Sequence, residues 1–226
     1  MNKLRLLAVL VLTCCLVFSA LHPVLAANYD IGSAGMPTIS GSVGGSVTGS
    51  STLLAALSVT VNFGELSPAN ANQLVTLVIP IALRSDAAYQ VTVTRTGSVG
   101  ADPNSVQFSD IGFGIQNLRP FGNAASSCGG TSTIRSPFNN DPSSSFTISG
   151  ATGRAQYLSS LANFGVSTVV LNGPELSDNF AGSGQNDGWA FDAILAVKPQ
   201  YYTPGTFGTF TLTFTISAGP AFQCQG

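Results

Sequence analysis

Apolar and polar residues alternate with a period of two along much of the 226-residue chain, as strands with one buried face do. Leu57, Val59, Val61 and Phe63 alternate with Ser58, Thr60 and Asn62 before Gly64 stops the run. From Leu74 to Leu83 both faces are apolar: Val75, Leu77, Ile79, Ile81 and Leu83 form one, and Leu74, Val78 and Pro80 the other. Pro80 cannot donate a ladder hydrogen bond, so an edge or a bulge is expected beside it. After a short Ser85-Asp86-Ala87 connection, Tyr89, Val91 and Val93 alternate with Gln90, Thr92 and Thr94. Val106, Phe108, Ile111, Phe113 and Ile115 make a further apolar set, in which Gly112 and Gly114 predict a bulge.

Order weakens from Arg119 to Ser145, a stretch dominated by Gly, Ser, Asn and Pro. Phe146 and Ile148 predict a short strand, and Val166 to Leu171 another, ended by Asn172-Gly173-Pro174. Tyr157, Leu158, Leu161 and Phe164 stand at helical spacing within residues 154–164, which allows at most one short helix. After a second loop, 176–188, Trp189, Phe191, Ala193, Leu195 and Val197 alternate with a face that carries Asp192. Phe210, Leu212, Phe214 and Ile216 then oppose Thr211, Thr213, Thr215 and Ser217 in the clearest strand of all. Many short strands with turn signals between them and almost no helix predict an all-β antiparallel sandwich with long loops.

One polar stretch stands apart. In residues 36–49, Ile39, Gly41, Val43, Gly45 and Val47 fall on one face of an extended chain and Ser40, Ser42, Ser46 and Thr48 on the other. Such a segment can pair through its backbone and drop spaced apolar groups into a groove, either of a neighbouring subunit or of its own domain. Its Gly and Ser content also suits a flexible linker without a partner.

Composition narrows the function classes. Lys3 and Arg5, the apolar run Leu6 to Phe18 and the Val24-Leu25-Ala26 site read as a secretory signal over residues 1–26. The remainder divides into a Gly/Ser-rich segment, 27–50, and a sandwich domain, 51–226. No later stretch reaches the roughly 18 apolar residues that span a bilayer, so no membrane span is expected after cleavage. Beyond the signal there are six basic residues, Arg84, Arg95, Arg119, Arg135, Arg154 and Lys198, against ten acidic ones, and no basic cluster. That is not the electrostatic footprint of a nucleic-acid binder. Cleavage also removes His22, the only histidine, and with it triad chemistry and most zinc sites; no cofactor is expected. Two cysteines remain, Cys128 and Cys224, and in an oxidising compartment they predict a disulfide.

Other constellations are weaker. Asp178, Asn179, Asn186 and Asp187 offer oxygen ligands of the kind calcium prefers, but their spacing fits no defined loop, and turn-rich segments use the same residues for backbone reasons. Trp189 begins an apolar face and reads as core. Tyr201 and Tyr202 are adjacent in a strand-like stretch, so one of them should face outward as a candidate ligand platform. Glu175, Asp178, Asp187 and Asp192 supply carboxylates, yet nothing in their spacing selects a glycosidase pair.

Three stretches resemble secreted bacterial β-sandwich proteins of the spore-coat-U and pilin-like kind: Val61-Asn62-Phe63-Gly64-Glu65-Leu66-Ser67-Pro68, Ile79-Pro80-Ile81-Ala82-Leu83 leading into Tyr89-Gln90-Val91-Thr92-Val93, and Tyr202-Thr203-Pro204-Gly205-Thr206-Phe207 running into Phe210 to Ile216. The resemblance covers the two ends and leaves roughly 100–188 unaccounted for. It implies an Ig-like fold, export to the periplasm or cell surface, and assembly by strand donation with self or with a periplasmic assembly partner. Cys224 at the extreme end departs from the pilin pattern, where the bridge lies near the start of the domain. Two classes therefore frame the function: a non-enzymatic structural or assembly subunit of the cell surface, and a secreted binding module for carbohydrate or another surface ligand.

Overall fold

The computed structural model describes residues 29–40, 45–49, 55–66, 75–98, 104–121, 132–135, 138, 146–147, 157–175, 188–197, 205–206 and 208–220. Its strands in chain order are β1 (Tyr29–Ser33), β2 (Thr38–Ser40), β3 (Ser46–Gly49), β4 (Ala56–Asn62), β5 (Glu65–Leu66), β6 (Thr76–Ser85), β7 (Tyr89–Gly97), β8 (Ile111–Phe121), β9 (Thr133–Ile134), β10 (Phe146–Thr147), β11 (Tyr157–Ser160), β12 (Thr168–Gly173), β13 (Gly188–Val197), β14 (Gly205–Thr206) and β15 (Thr209–Ala218). Among the described residues they form two main antiparallel sheets. The first runs β1-β6-β13-β8-β11-β10 with β2 also on β6; the second runs β3-β4-β15-β7-β12-β9. A small ladder joins β14 to β5. The all-β sandwich expected from the alternation is the fold.

The alternation is read out directly as burial. Leu57, Val59, Val61 and Phe63 from one sheet meet Leu77, Ile79, Ile81 and Leu83 from the other, and Phe210, Leu212, Phe214 and Ile216 complete the same core. Phe113 sits at its aromatic centre, with ring centroids 4.7 Å from Phe164, 5.9 Å from Phe138 and 6.3 Å from Phe214. On the outer face of the second sheet hydroxyls pair across strands, Ser58 with Thr213 and Thr60 with Thr211, each at 3.2 Å.

Two local expectations are corrected. The helical spacing of residues 154–164 yields helix only at its end: Tyr157–Ser160 is β11, paired to β8 and β10, and Leu161–Gly165 is helical, as a 3₁₀ turn. Ser160 ends the strand by accepting the Ala162 N–H on its hydroxyl, the backbone competition that places serine at such junctions. Gly112 and Gly114 form no bulge; they pair regularly with Ala196 and Ile194. The bulge lies further along β8, where Gln116 to Arg119 oppose only Ala190 to Asp192. Asn117 takes it up with φ 56°, a left-handed conformation that asparagine accepts more readily than most residues.

Candidate functional site

The N-terminal residues are built into both sheets. β1 and β2 lie antiparallel along one edge of β6, pairing Tyr29 with Ser85 through Ser33 with Ile81, then Thr38 with Val78 through Ser40 with Thr76. Between them residues 34–37 loop away, opposite Pro80. The missing N–H of Pro80 faces this edge, since its carbonyl accepts the Ala34 N–H at 3.0 Å on the same side. A strand running past cannot complete its ladder there, and it bulges instead. Gly35 rides over the proline ring, Ser33 Oγ holds the turn by accepting the Gly35 N–H at 3.3 Å, and Met36 at the tip is 86% exposed.

β3 then pairs with β4 in the other sheet, Ser46 with Asn62 through Gly49 with Val59. Of the residues singled out by their alternation, Ile39 therefore belongs to one sheet and Val47 to the other, both partly buried against the common core. Gly45 precedes β3, while Gly41 and Val43 lie outside the described residues. Across the sandwich β1 lies against β4 and β15, and β2 beside β3, so β1, β2 and β3 close the same lateral side of both sheets.

β1 is held firmly. Ile31 is fully buried, and Asp30 accepts hydrogen bonds from Arg84 Nη2 at 2.8 Å and Nε at 3.0 Å, a two-donor guanidinium contact that fixes register. Burial and the nearby Asp86 raise the Tyr29 pKa above its ordinary value. The opposite side of the sandwich ends in β9 and β10, each two residues long. Edges that short offer little for another chain to pair with. Without residues 29–49, by contrast, the free edges would be β6, ten residues, and β4, seven.

A second polar cluster sits on the outer face of the first sheet. Asp192, 8% exposed, accepts Asn117 Nδ2 at 2.8 Å and Arg119 Nη1 at 3.0 Å, and the same Nη1 donates to the Asn117 carbonyl at 2.8 Å. The β8 bulge is what turns both side chains onto one carboxylate. Its partners satisfy it, and the cluster reads as a fastening of β8 to β13.

The remaining sequence candidates fall as follows. Cys128, Cys224, Tyr201, Tyr202 and the acidic loop 176–187 lie outside the described residues. Trp189 packs against the core as expected of it, and its buried Nε1–H has no hydrogen-bond partner among the described residues. Among the described residues no three His, Cys, Asp or Glu side chains gather into a group that could hold a metal, and no helix is long and apolar enough to cross a membrane. No family model, curated protein or solved structure matches the chain.

Proposed function

We propose that this chain is a non-enzymatic structural or assembly subunit of the bacterial cell surface, exported through its N-terminal signal and joined to neighbouring copies by donation of its N-terminal strands. The observation that carries the reading is that β1, β2 and β3 supply the edge of both sheets on one side. A single terminal segment thus covers two long strands whose inward faces are apolar. Main-chain pairing supplies affinity in such additions, and alternate side chains supply specificity. Ile31, Ile39 and Val47 are the inward anchors of the segment here. Its Gly-Ser-Val-Gly-Gly run, residues 41–45, is the place for the chain to change partners, since such a composition resists extension little.

Size-exclusion chromatography with and without residues 27–50 tests the reading. Under strand donation the full chain forms higher oligomers, and the truncated chain fails to do so until a synthetic peptide of residues 27–50 is supplied to fill its groove. A full chain that stays monomeric at every concentration speaks for the binding-module alternative.

A further inference from the structure

We propose that Arg95 is the receptor for a monocarboxylate, on a surface patch formed by β7 and the two 3₁₀ turns Phe108–Asp110 and Leu161–Gly165. Ion pairs among the described residues include Arg84–Asp30 and Arg119–Asp192. Arg95 is partly buried and has no carboxylate partner among the described residues. Its Cζ lies 3.6 Å from the centroid of the Phe108 ring, and its Nε donates to the Leu161 carbonyl at 3.2 Å. Phe108 in turn stands edge-on to the core ring of Phe210, with centroids 5.6 Å apart at 86°. The guanidinium is therefore held in one plane, with Nε occupied and, among the described residues, no partner for its two terminal nitrogens.

That is the state in which arginine binds a planar oxyanion with two parallel hydrogen bonds at little further ordering cost. Partial burial lowers the pKa of this guanidinium, a sign that water solvates its charge incompletely, which an arriving anion would offset. The patch also leaves room. Gly165 faces the terminal nitrogen, and a Cβ placed there would lie 3.7 Å from Nη2, so the glycine keeps that edge uncovered. Val166 beside it is 71% exposed and offers an apolar neighbour.

One cation flanked by apolar surface matches a single negative charge carried on carbon. A phosphate, at nearly two charges, calls for more than one cation. The carboxylate could come from an acyl or peptide terminus or from a uronic acid, and the chemistry is shared. This site is independent of strand donation.

NMR titration of the full chain, following the Arg95 Nε–H resonance, tests the proposal. The probes are isobutyrate for the acyl source and D-galacturonate for the uronate, with sulfate as a control at equal ionic strength. We expect a saturable shift with at least one carboxylate and none with sulfate. Arg95→Gln should weaken binding by about tenfold or more, the loss of one charge-assisted pair. Gly165→Asp leaves Arg95 and the core in place but supplies an internal carboxylate, and it should block the site equally. A response to sulfate matching that to the carboxylates, no saturable shift with either, or undiminished binding in Gly165→Asp overturns the proposal.

Discussion

The Tyr89 hydroxyl and Ser132 Oγ lie 2.6 Å apart in the interior of the sandwich, and they tie the start of β9 to β7. Tyr89 is fully buried. Gly173 passes so close that a Cβ there would strike both Ser132 Oγ and the tyrosine ring, so glycine is the residue this contact requires. Burial drives the Tyr89 pKa far above its ordinary value, with the Ser132 hydrogen bond offsetting part of the rise. The folded protein thus keeps a neutral phenol where the unfolded chain ionises at about pH 10. The stabilisation is complete below that pH and is lost as pH rises towards the folded value. Chemical denaturation should accordingly show stability falling from about pH 10 upward. Tyr89→Phe should flatten that decline, at a cost near neutrality of about 1–3 kcal/mol for the Ser132 hydroxyl left buried without a partner.

Tyr89 also bears on the cysteines. Its side chain meets Ser132, four residues after Cys128, and its backbone carbonyl packs against Gly219, five residues before Cys224. Cys128 and Cys224 themselves lie outside the described residues, and their disulfide is the expectation for two cysteines in an oxidising compartment. We expect the peptides containing Cys128 and Cys224 to appear linked in a non-reduced digest by mass spectrometry. Reduction should lower stability by about 2–4 kcal/mol. Free thiols at both positions would refute the pairing.

The β15 strand gives a direct test of burial. Phe214 is fully buried and Thr213 lies on the outer face, bonded to Ser58. Phe214→Ala should cost about 3–5 kcal/mol. Thr213→Ala should cost less than about 1 kcal/mol. Equal sensitivity in urea unfolding would contradict the assignment of the two faces.

The Asp192 cluster makes an ordered prediction. Arg119→Met strips a charged partner from a buried carboxylate and should cost about 1–3 kcal/mol. Adding Asp192→Leu to that variant removes the stranded charge and should recover part of the loss. A double variant less stable than Arg119→Met would contradict the network's role.

How far the fold was legible follows from what periodicity encodes. Residues 57–63, 75–83 and 210–216 place their apolar members in the core because alternation specifies a buried face. Alternation does not name a partner, which is why residues 39–47 read as one strand although Ile39 and Val47 join different sheets. Tyr157 and Leu158 share helical spacing with Leu161, yet their pairing to β10, and that of Ser159 and Ser160 to β8, makes the segment a strand. At Asn117 the bulge depends on Asp192, distant in sequence, capturing both Asn117 and Arg119. Arg95 carries no local signal at all; that it pairs with no carboxylate among the described residues emerges only from the fold.

Disulfide trapping across the β1–β6 pair tests strand donation most directly. Asp30 and Arg84 are Cα partners whose side chains already meet, so Asp30→Cys with Arg84→Cys will form a bridge wherever β1 lies on β6. In assembled material under oxidising conditions, donation predicts a ladder of covalently linked chains on a non-reducing gel, abolished when residues 27–50 are removed. An intrachain bridge alone in every assembled fraction, with no ladder, would show that the segment serves only its own domain and would contradict the account.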